Sequence, residues 1–240
     1  MTGTTIVAAT PVASDSSHAV GYRPAPSRRL PLLLPLPLPP EKTASVYERY
    51  AAQYAAFRHR ACPDDRAEGL VALDLPHARH AAEVGCGPGY YAPIIAARHP
   101  TIRVTGIDNS PSQIALARQR AAQQRLGNAR FVCDDACALS QPDGCFDRIV
   151  ASRLFMVIHD CRRALTELRR VLAPDGLLLI AEPIAQPAIS FADWAQVPTP
   201  AERIFTTSAF AALVSLVAWG SCAIWETGGY RYARCRKATD

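Results

Sequence analysis

A short apolar run that ends in an acid and three alternating glycines occupies residues 81–90 and constrains the fold most. Gly85, Gly87 and Gly89 allow a sharp turn after a strand and bring bare backbone N–H groups towards a ligand at a helix start. This G-x-G-x-G spacing is tighter than the G-x-G-x-x-G of dinucleotide-binding folds. Asp108 closes the next apolar run, where a carboxylate binds the hydroxyls of a ribose. These features predict a site for an adenosine-type ligand.

The chain has 240 residues, of which 49% are hydrophobic and 20% are charged. This length suits one α/β domain that buries roughly 70% of the surface exposed by its unfolded chain. The formal charge of +5 comes mostly from arginines spread along the sequence. The densest basic run is Arg162-Arg163 with Arg169-Arg170, and no aromatic residues are interleaved with it. We interpret it as a solvated helix face, with a nucleic-acid patch as the alternative.

Eight cysteines raise the question of disulfides or a bound metal. They are Cys62, Cys86, Cys133, Cys137, Cys145, Cys161, Cys222 and Cys235. They include no C-x-x-C pair and no zinc-like ladder of His and Cys. Several fall in predicted strands, where a free thiol packs as a small hydrophobic group. We expect reduced thiols, a cytoplasmic protein and no metal site; the alternative is a soft metal or metalloid bound by Cys133, Cys137 and Cys145.

Residues 1–40 differ in composition from the rest of the chain. They hold eight of the twenty prolines, three arginines and a single acid, Asp15. The leucine-rich run at residues 30–40 is interrupted by prolines, which forbid a transmembrane helix and favour an extended polyproline-like spacer. We predict a disordered leader over residues 1–40, a folded domain over residues 41–240 and no membrane span. An over-extended gene start and an organelle transit peptide are the alternatives.

Apolar periodicity from residue 41 predicts helices that alternate with strands. Tyr47, Tyr50, Tyr54 and Phe57 recur at helical spacing, which indicates core packing or a helix that covers a ligand. The predicted helices are residues 43–57, 64–73, 90–98, 111–126, 160–172 and 207–219. The predicted strands are residues 79–84, 103–107, 129–133, 146–151, 177–181, 221–226 and 230–235.

Five strands that alternate with helices predict a parallel sheet covered on both faces, because parallel neighbours need a crossover connection. The last two strands are joined directly at Gly228-Gly229, which predicts a hairpin. The expected fold is therefore α/β, with a doubly wound, mostly parallel seven-stranded sheet that ends in an antiparallel hairpin.

Five stretches, in this order and at these spacings, carry a family resemblance. They are residues 83–89 (EVGCGPG), 106–110 (GIDNS), 131–136 (FVCDDA), 142–150 (PDGCFDRIV) and 170–176 (RVLAPDG). Over about residues 41–236 the chain resembles the class I S-adenosylmethionine-dependent methyltransferases. Within that family it is most similar to the small-molecule branch that includes the quinone and polyketide methylases. The resemblance implies a Rossmann-like methyltransferase fold and S-adenosylmethionine as the cofactor.

The resemblance also implies roles for the matching residues. Glu83 would hold the glycine turn, and the glycines would let the backbone pass the amino-acid end of the cofactor. Asp108 would bind the ribose hydroxyls, and Asn109 would lie beside the adenine. The full expected set of cofactor-binding residues is Tyr54, Glu83, Gly85, Cys86, Gly87, Gly89, Asp108, Asn109, Asp135, Ala136 and Arg153.

Three of these positions depart from the family pattern or extend it. The adenine-contacting acid usually lies in a Gly-Asp-Ala setting; here Asp135 matches it and Asp134 replaces the glycine. Tyr54 matches a tyrosine that covers the methionine moiety, although the acid that usually follows is Ala55. Arg153 is expected to touch the cofactor or an acidic substrate.

The catalytic base is the least determined part of the expected site. Relatives often have a histidine just after the fourth strand, where this chain has Val157, with His159 two residues on. We expect His159 to act as the base, with a role at the cap of the next helix as the alternative. His59 and Glu182 are weaker candidates.

The expected partner is a small, hydrophobic or aromatic acceptor molecule. It would enter between residues 47–57, residues 153–159 and the segment 183–200, which carries Phe191 and Trp194. No Asn-Pro-Pro-Tyr or Asp-Pro-Pro-Tyr follows the fourth strand, which argues against enzymes that flip a base into such a motif. No nucleic acid partner is expected, and the chain is expected to be a monomer or homodimer. The alternatives are a nucleic-acid or protein methyltransferase, a non-catalytic cofactor-binding module and a nicotinamide-dependent oxidoreductase.

Overall fold

The structure is a computed structural model that describes residues 5–6, 40–185 and 203–239. Within these ranges the helices are α1 (Pro40–Arg49), α2 (Ala51–Ala61), α3 (Arg66–Ala72), α4 (Ala92–Arg98), α5 (Pro111–Gln123), α6 (Cys161–Val171) and α7 (Thr207–Val214). The strands are β1 (Thr5–Ile6), β2 (His80–Val84), β3 (Arg103–Asp108), β4 (Ala129–Cys133), β5 (Phe146–Ser152), β6 (Leu172–Pro183), β7 (Ser221–Thr227) and β8 (Tyr230–Arg236).

The described strands form one sheet in the order β1-β7-β8-β6-β5-β2-β3-β4. Strands β2 to β6 pair in parallel, whereas β8 runs antiparallel to both β6 and β7. The predicted α/β fold, with a mostly parallel sheet that ends in an antiparallel hairpin, is confirmed. The carboxyl ends of β2, β3 and β5 meet at one edge of the sheet, where open α/β sheets bind their ligands.

Two hydrophobic cores cover the two faces of the sheet. On one face, Leu165 and Leu168 of α6 and Phe210 of α7 are fully buried. On the other, Ile95 of α4 and Ile114 of α5 are fully buried. Because both faces are covered by helices, most residues of the central strands are buried and apolar, as is usual in parallel sheets.

Strand β1 lies within the segment predicted as a leader. Thr5 pairs in parallel with Ser221, and Ile6 pairs with Cys222. These two residues therefore extend the sheet at its β7 edge. Residues 7–39 lie outside the described residues, so the leader stays a prediction.

Strand β6 begins five residues before the predicted start at residue 177. Leu172 pairs with Phe146, and the register then shifts so that Arg148 pairs with Leu177. Asp175 takes a φ of 57° in this irregular stretch. The Pro174-Asp175-Gly176 sequence therefore makes an irregularity inside the strand, because pairing with β5 continues on both sides of it.

The single helix predicted over residues 43–57 is interrupted at Tyr50, where φ is −114° and ψ is 30°. The interruption separates α1 from α2 and divides the aromatic stripe between two roles. Phe57 is fully buried in the protein, whereas Tyr47 and Tyr54 line a cavity. Phe57 therefore packs in the core, whereas Tyr47 and Tyr54 are placed where they could cover a ligand, which stays a prediction.

The prediction that all cysteines are reduced is wrong for one pair. Cys222 and Cys235 form a disulfide between β7 and β8. They are directly opposite each other in the hairpin register that Gly228-Gly229 sets, so the two side chains meet on one face. In the described part of the chain, no three His, Cys, Asp or Glu side chains are grouped as a metal site needs.

Two arginines of the basic run on α6 form hydrogen bonds within the domain. Arg162 donates to the carbonyl of Leu216, and Arg169 donates to the carbonyl of Ala218. The two arginines thus hold the segment after α7 against α6. No described helix is both long and apolar enough to cross a membrane.

Candidate functional site

The glycine loop lies between β2 and α4. Gly85, Gly87 and Gly89 have φ angles of 73°, 50° and 80°, a region that favours glycine. The backbone N–H groups of Gly85 and Cys86 donate to the carbonyl of Ile107 at 2.8 and 2.9 Å. A β-carbon at Gly85 would lie 2.7 Å from a methyl carbon of Leu154. The turn therefore excludes side chains both by its φ angles and by contact with the loop after β5.

Glu83, at the end of β2, holds the start of α4. Its carboxylate accepts hydrogen bonds from the N–H groups of Ala92, Tyr91 and Tyr90 at 2.8, 2.9 and 3.3 Å. Burial raises the pKa of Glu83 to about 7, although these three N–H groups favour the charged form. The expectation that Glu83 holds the glycine turn matches this geometry.

Asp108, the last residue of β3, joins the glycine loop to the start of α5. Its carboxylate accepts from the N–H of Gly87 at 2.8 Å and from the N–H of Ser110 at 3.0 Å. Burial raises the pKa of Asp108, against the effect of these hydrogen bonds. The side chain is fixed from two sides before any ligand binds.

A cavity of about 430 Å³, the main cavity, opens beside these residues at the carboxyl edge of the sheet. Its lining includes these residues expected from the sequence: Tyr54, Gly85, Gly87, Asp108, Asn109, Asp135, Ala136, Arg153 and His159. Its apolar wall includes Val84, Ile107 and Leu154. Asp108 at the end of β3, Gly85, Gly87 and the loops after β4 and β5 thus surround one cavity.

Three expected cofactor-binding residues, Glu83, Cys86 and Gly89, do not line the main cavity. The carboxylate of Glu83 is occupied by the start of α4, and the buried Cys86 thiol donates to the carbonyl of Gly87. The three residues instead line a second cavity of about 420 Å³, which shares Gly85 and Gly87 with the first. The glycine loop is therefore a common wall of two spaces.

Helices α1 and α2, here called the lid, cover the main cavity. The rings of Tyr47 on α1 and Tyr54 on α2 meet edge to face at 4.9 Å between centroids. Glu48 accepts hydrogen bonds from the hydroxyl groups of Ser110 and Ser112 at the start of α5. Although burial raises the pKa of Glu48, these bonds outweigh it and hold the pKa below its ordinary value. Glu48 lies in no local motif and is not among the residues expected from the sequence.

Asp134 and Asp135 are adjacent in the loop after β4 but have different hydrogen-bond partners. Asp134 accepts from the N–H and the hydroxyl of Ser140 at 2.8 and 2.7 Å, and so holds the loop closed. Asp135 accepts from the N–H of Cys137 at 2.9 Å and is exposed. Both acids line the main cavity. The prediction that Asp135 contacts the adenine is compatible with this division of roles.

The loop after β5 forms the opposite wall. Arg153 takes a φ of 56°, is buried, and donates its backbone N–H to the carbonyl of Ala181 at 2.8 Å. His159 is exposed and lines the main cavity together with Val157. The cap of α6 is Asp160, whose carboxylate accepts from the N–H of Arg163.

The weaker candidates for the base lie elsewhere. Glu182 is fully buried and accepts from the N–H of Phe155 at 2.7 Å. His59 lines the second cavity. Of the three candidates, His159 is therefore the one that lines the main cavity.

A buried polar cluster anchors the lid to the rest of the domain. Arg58 of α2 donates to Tyr230 at 2.6 Å, to Ser152 at 3.0 Å and to Asp65 at 3.1 Å. Ser152 and Tyr91 donate in turn to the Asp65 carboxylate at 2.6 and 2.8 Å. Burial lowers the pKa of Arg58, but the charge of Asp65 more than compensates and keeps it raised. The lid is thus joined to the end of β5 and to β8 through one ion pair.

Residues 81–176 match the family model described as a methyltransferase domain. The matched range contains the glycine loop, Asp108 and the two loops that line the main cavity. The resemblance to S-adenosylmethionine-dependent methyltransferases is thereby confirmed for this part of the chain.

Two curated relatives are named for different acceptors. A trans-aconitate 2-methyltransferase from Variovorax paradoxus is 35% identical over 116 residues, which are 48% of this chain and 43% of that protein. A demethylmenaquinone methyltransferase from Thermus thermophilus is 39% identical over 100 residues, which are 42% of this chain and 45% of that protein. The chain therefore spans less than half the length of these relatives.

Among solved structures, the [4+2]-cyclase SpnF superimposes with a TM-score of 0.63 at 20% identity, over 86% of this chain and 100% of that chain. A likeness at this level of identity shows the fold alone. It extends the match of fold well beyond residues 81–176.

Proposed function

We propose, on the premise that residues 81–176 form a methyltransferase domain, that the chain binds S-adenosylmethionine and transfers its methyl group to a small molecule. The observation that carries this proposal is the placement of Asp108. Its carboxylate reaches the main cavity at the end of β3 while it holds the N–H of Gly87. An acid so placed beside a glycine loop suits a ribose.

The residues of the main cavity fit the cofactor. A volume of about 430 Å³ lies in the range of small-molecule sites. Asp108 would hold the ribose, Asp135 and Ala136 would border the adenine, and Tyr54 would cover the methionine moiety. When bound, S-adenosylmethionine supplies an electrophilic methyl group on a positively charged sulfur.

The work of the chain is to align the acceptor with that methyl group. Alignment of two reactants in a site contributes up to about 7–11 kcal/mol of a reaction barrier. Here the glycine loop and Asp108 line one part of the cavity, and Tyr47 and Tyr54 of the lid line another. The aromatic faces of these tyrosines also suit a positively charged centre.

The acceptor is proposed to be hydrophobic or aromatic. The support is the lining of the main cavity near the lid, where Tyr47, Tyr54, Val157 and Ile158 present apolar surface. Phe191 and Trp194, the other aromatic residues expected at the entrance, lie outside the described residues. A comparison of initial rates with acceptors of matched size and graded polarity tests this assignment. A preference for charged, hydrophilic acceptors contradicts it.

His159 is proposed as the general base for an acceptor that must lose a proton. A base at this position contributes about 10²- to 10⁴-fold to the rate. His159→Gln should therefore lower kcat by that order while the affinity for S-adenosylhomocysteine stays unchanged. An unchanged kcat with a hydroxyl acceptor that is protonated at the assay pH would remove His159 from the mechanism.

Calorimetric titration of the full chain with S-adenosylhomocysteine tests the proposed cofactor. We expect micromolar binding that is lost in Asp108→Ala. Asp143→Ala serves as the matched control, because its side chain is 80% exposed and lies outside the main cavity. Absence of binding in the unchanged chain, or equal loss in both variants, would refute the proposed site.

The strongest alternative is a module that binds the cofactor without transferring its methyl group. This alternative is supported by the fold neighbour that is named as a cyclase, because it illustrates that the fold alone does not imply methyl transfer. Incubation with methyl-labelled S-adenosylmethionine and a metabolite extract separates the two. Label in a small-molecule fraction supports the proposal, and binding with no labelled product supports the module. Label in an RNA, DNA or protein fraction would assign a macromolecular acceptor instead.

A further inference from the structure

Gln113 has a buried acceptor atom that the fold does not use. It is the third residue of α5 and is only 1% exposed, yet it lines the main cavity. Its side-chain nitrogen donates to the backbone carbonyl of Tyr47 on the lid at 3.4 Å. Among the described residues, no group donates a hydrogen bond to its side-chain oxygen, Oε1.

The orientation of this amide follows from its neighbour. A carbonyl oxygen accepts hydrogen bonds and cannot donate them, so the NH₂ end of Gln113 must face Tyr47. The oxygen end then points towards the glycine loop, where a β-carbon built on Gly87 would lie 3.9 Å from Oε1. The N–H of Gly87 already donates to Asp108. Gln113 Oε1 and the Asp108 carboxylate are therefore both close to Gly87.

A buried acceptor without a donor is costly, and native proteins leave few of them. Both groups beside Gly87 are acceptors, so the ligand part that complements them must carry two neighbouring donors. A pair of vicinal hydroxyl groups meets this requirement. An adenine ring carries its hydrogen-bond donors on a single exocyclic nitrogen, and its ring nitrogens are acceptors, so it matches two separate acceptors less well than a ribose does.

We propose that Gln113 Oε1 accepts a hydrogen bond from a ribose hydroxyl of the bound nucleoside, next to the hydroxyl held by Asp108. The inference rests on the proposed function and adds to it a residue that discriminates ribose from deoxyribose. Because the same amide donates to Tyr47, one side chain contacts both the ligand and the lid. Ligand binding and lid position are coupled through it.

A chemical double-mutant cycle tests the contact. The proteins are the full chain and Gln113→Met, which keeps a similar length but removes the acceptor. The ligands are 5′-methylthioadenosine and its 2′-deoxy and 3′-deoxy forms, with Kd measured by calorimetry. We expect both deoxy forms to bind more weakly to the unchanged chain, because Asp108 and Gln113 each lose a hydroxyl partner, and the form that lacks the Gln113 partner to bind about 3- to 10-fold more weakly, the size of one hydrogen bond. Gln113→Met should bind that form and the parent ligand equally.

The controls separate binding from folding. Gln119→Met changes an exposed residue of the same helix and should keep the full discrimination. Without ligand, Gln113→Met should unfold at a temperature close to that of the unchanged chain, because removal of the unsatisfied buried oxygen offsets loss of the 3.4 Å hydrogen bond to Tyr47. If Gln113→Met does not fold, Gln113→Leu takes its place in the same cycle.

Three results would overturn the inference. One is equal discrimination by Gln113→Met and the unchanged chain for both deoxy forms. Another is no discrimination against either form by the unchanged chain. The third is a loss of affinity in Gln113→Met for S-adenosylhomocysteine but not for 5′-methylthioadenosine. This result would place the contact at the amino-acid end of the ligand. Failure of the unchanged chain to bind any of these ligands would refute the proposed function itself, and is distinct from all three.

Discussion

Glu48 on α1 and Ser112 on α5 are joined by two hydrogen bonds. The backbone N–H of Ser112 donates to one carboxylate oxygen at 2.9 Å, and its hydroxyl donates to the other. Ser110, which also donates to Glu48, donates its own N–H to Asp108. One carboxylate on the lid is therefore two hydrogen bonds away from the acid that fixes the glycine loop.

Loss of the Glu48 carboxylate should release α1 from α5. In Glu48→Ala we expect about tenfold weaker binding of S-adenosylhomocysteine, because hydrogen bonds to a charged group contribute about 1.5–3 kcal/mol and part is recovered by water. Hydrogen exchange of residues 45–54 should accelerate in the same variant. Arg49→Ala, an exposed neighbour, is the control. Unchanged exchange in Glu48→Ala would mean that the lid is held by other contacts.

The three N–H groups at the start of α4 need an acceptor at position 83. In Glu83→Gln, one side-chain oxygen becomes an NH₂ group that faces these donors, which leaves buried N–H groups unsatisfied. We expect a loss of about 3 kcal/mol in the free energy of unfolding, measured by urea titration at pH 8. The control is Glu68→Gln, because the single donor there, Trp225, is also served by an amide oxygen. A loss of similar size in both variants would contradict the assignment.

The same residue gives a pH dependence whose sign is fixed. The pKa of Glu83 is about 7 in the folded chain, against an ordinary value of 4.5. Between these values the folded chain holds a proton that the unfolded chain has released, so stability falls as pH rises from about 4.5 to 7. The contribution of Glu83 to stability is complete below pH 4.5. Between pH 4.5 and 7 the free energy of unfolding falls by at most about 1.4 kcal/mol per pH unit. The slope should be absent from Glu83→Gln, and a wild-type curve parallel to that of the variant would contradict the raised pKa.

Arg58 and Asp65 form an ion pair whose side chains are 7% and 0% exposed. Removal of one partner leaves a buried charge, so Arg58→Met should cost about 3–5 kcal/mol of unfolding free energy. The nearby pair Arg66 and Asp64 has side chains that are 29% and 56% exposed, and Arg66→Met should cost less than about 1 kcal/mol. Urea unfolding of both variants measures the difference. Equal costs would show that the buried cluster does not anchor the lid.

The parts of the fold set by local signals could be predicted from the sequence. The alternating glycines, the acid that ends β3 and the apolar strand runs are read within windows of a few residues. Their placement follows because parallel strands bring their carboxyl ends to one edge. For this reason Gly85, Gly87 and Asp108 meet at the main cavity as expected.

The parts that depend on distant contacts could not be predicted in the same way. Tyr50 interrupts the leading helix although no proline or glycine stands there. Glu48 and Gln113 gain their roles only once α1 lies against α5, and nothing in their own neighbourhoods marks them. Glu83 lies two residues before the first glycine and Cys86 lies within the glycine loop, yet both line the second cavity and not the main cavity.

The disulfide between Cys222 and Cys235 is an intermediate case. The Gly228-Gly229 turn sets the register of the hairpin, and this register places the two cysteines opposite each other. Pairing could therefore have been inferred from the predicted turn.

The hydrogen bond between Arg58 and Tyr230 joins residues 172 positions apart. A chain is made from its amino terminus, so α2 leaves the ribosome long before β8 exists. Until β8 arrives, the guanidinium of Arg58 lacks one of its buried partners, and the lid lacks its attachment to the hairpin. The helices that cover the main cavity are thus synthesised early, but the last of their buried hydrogen bonds forms only once the chain has been completed through β8.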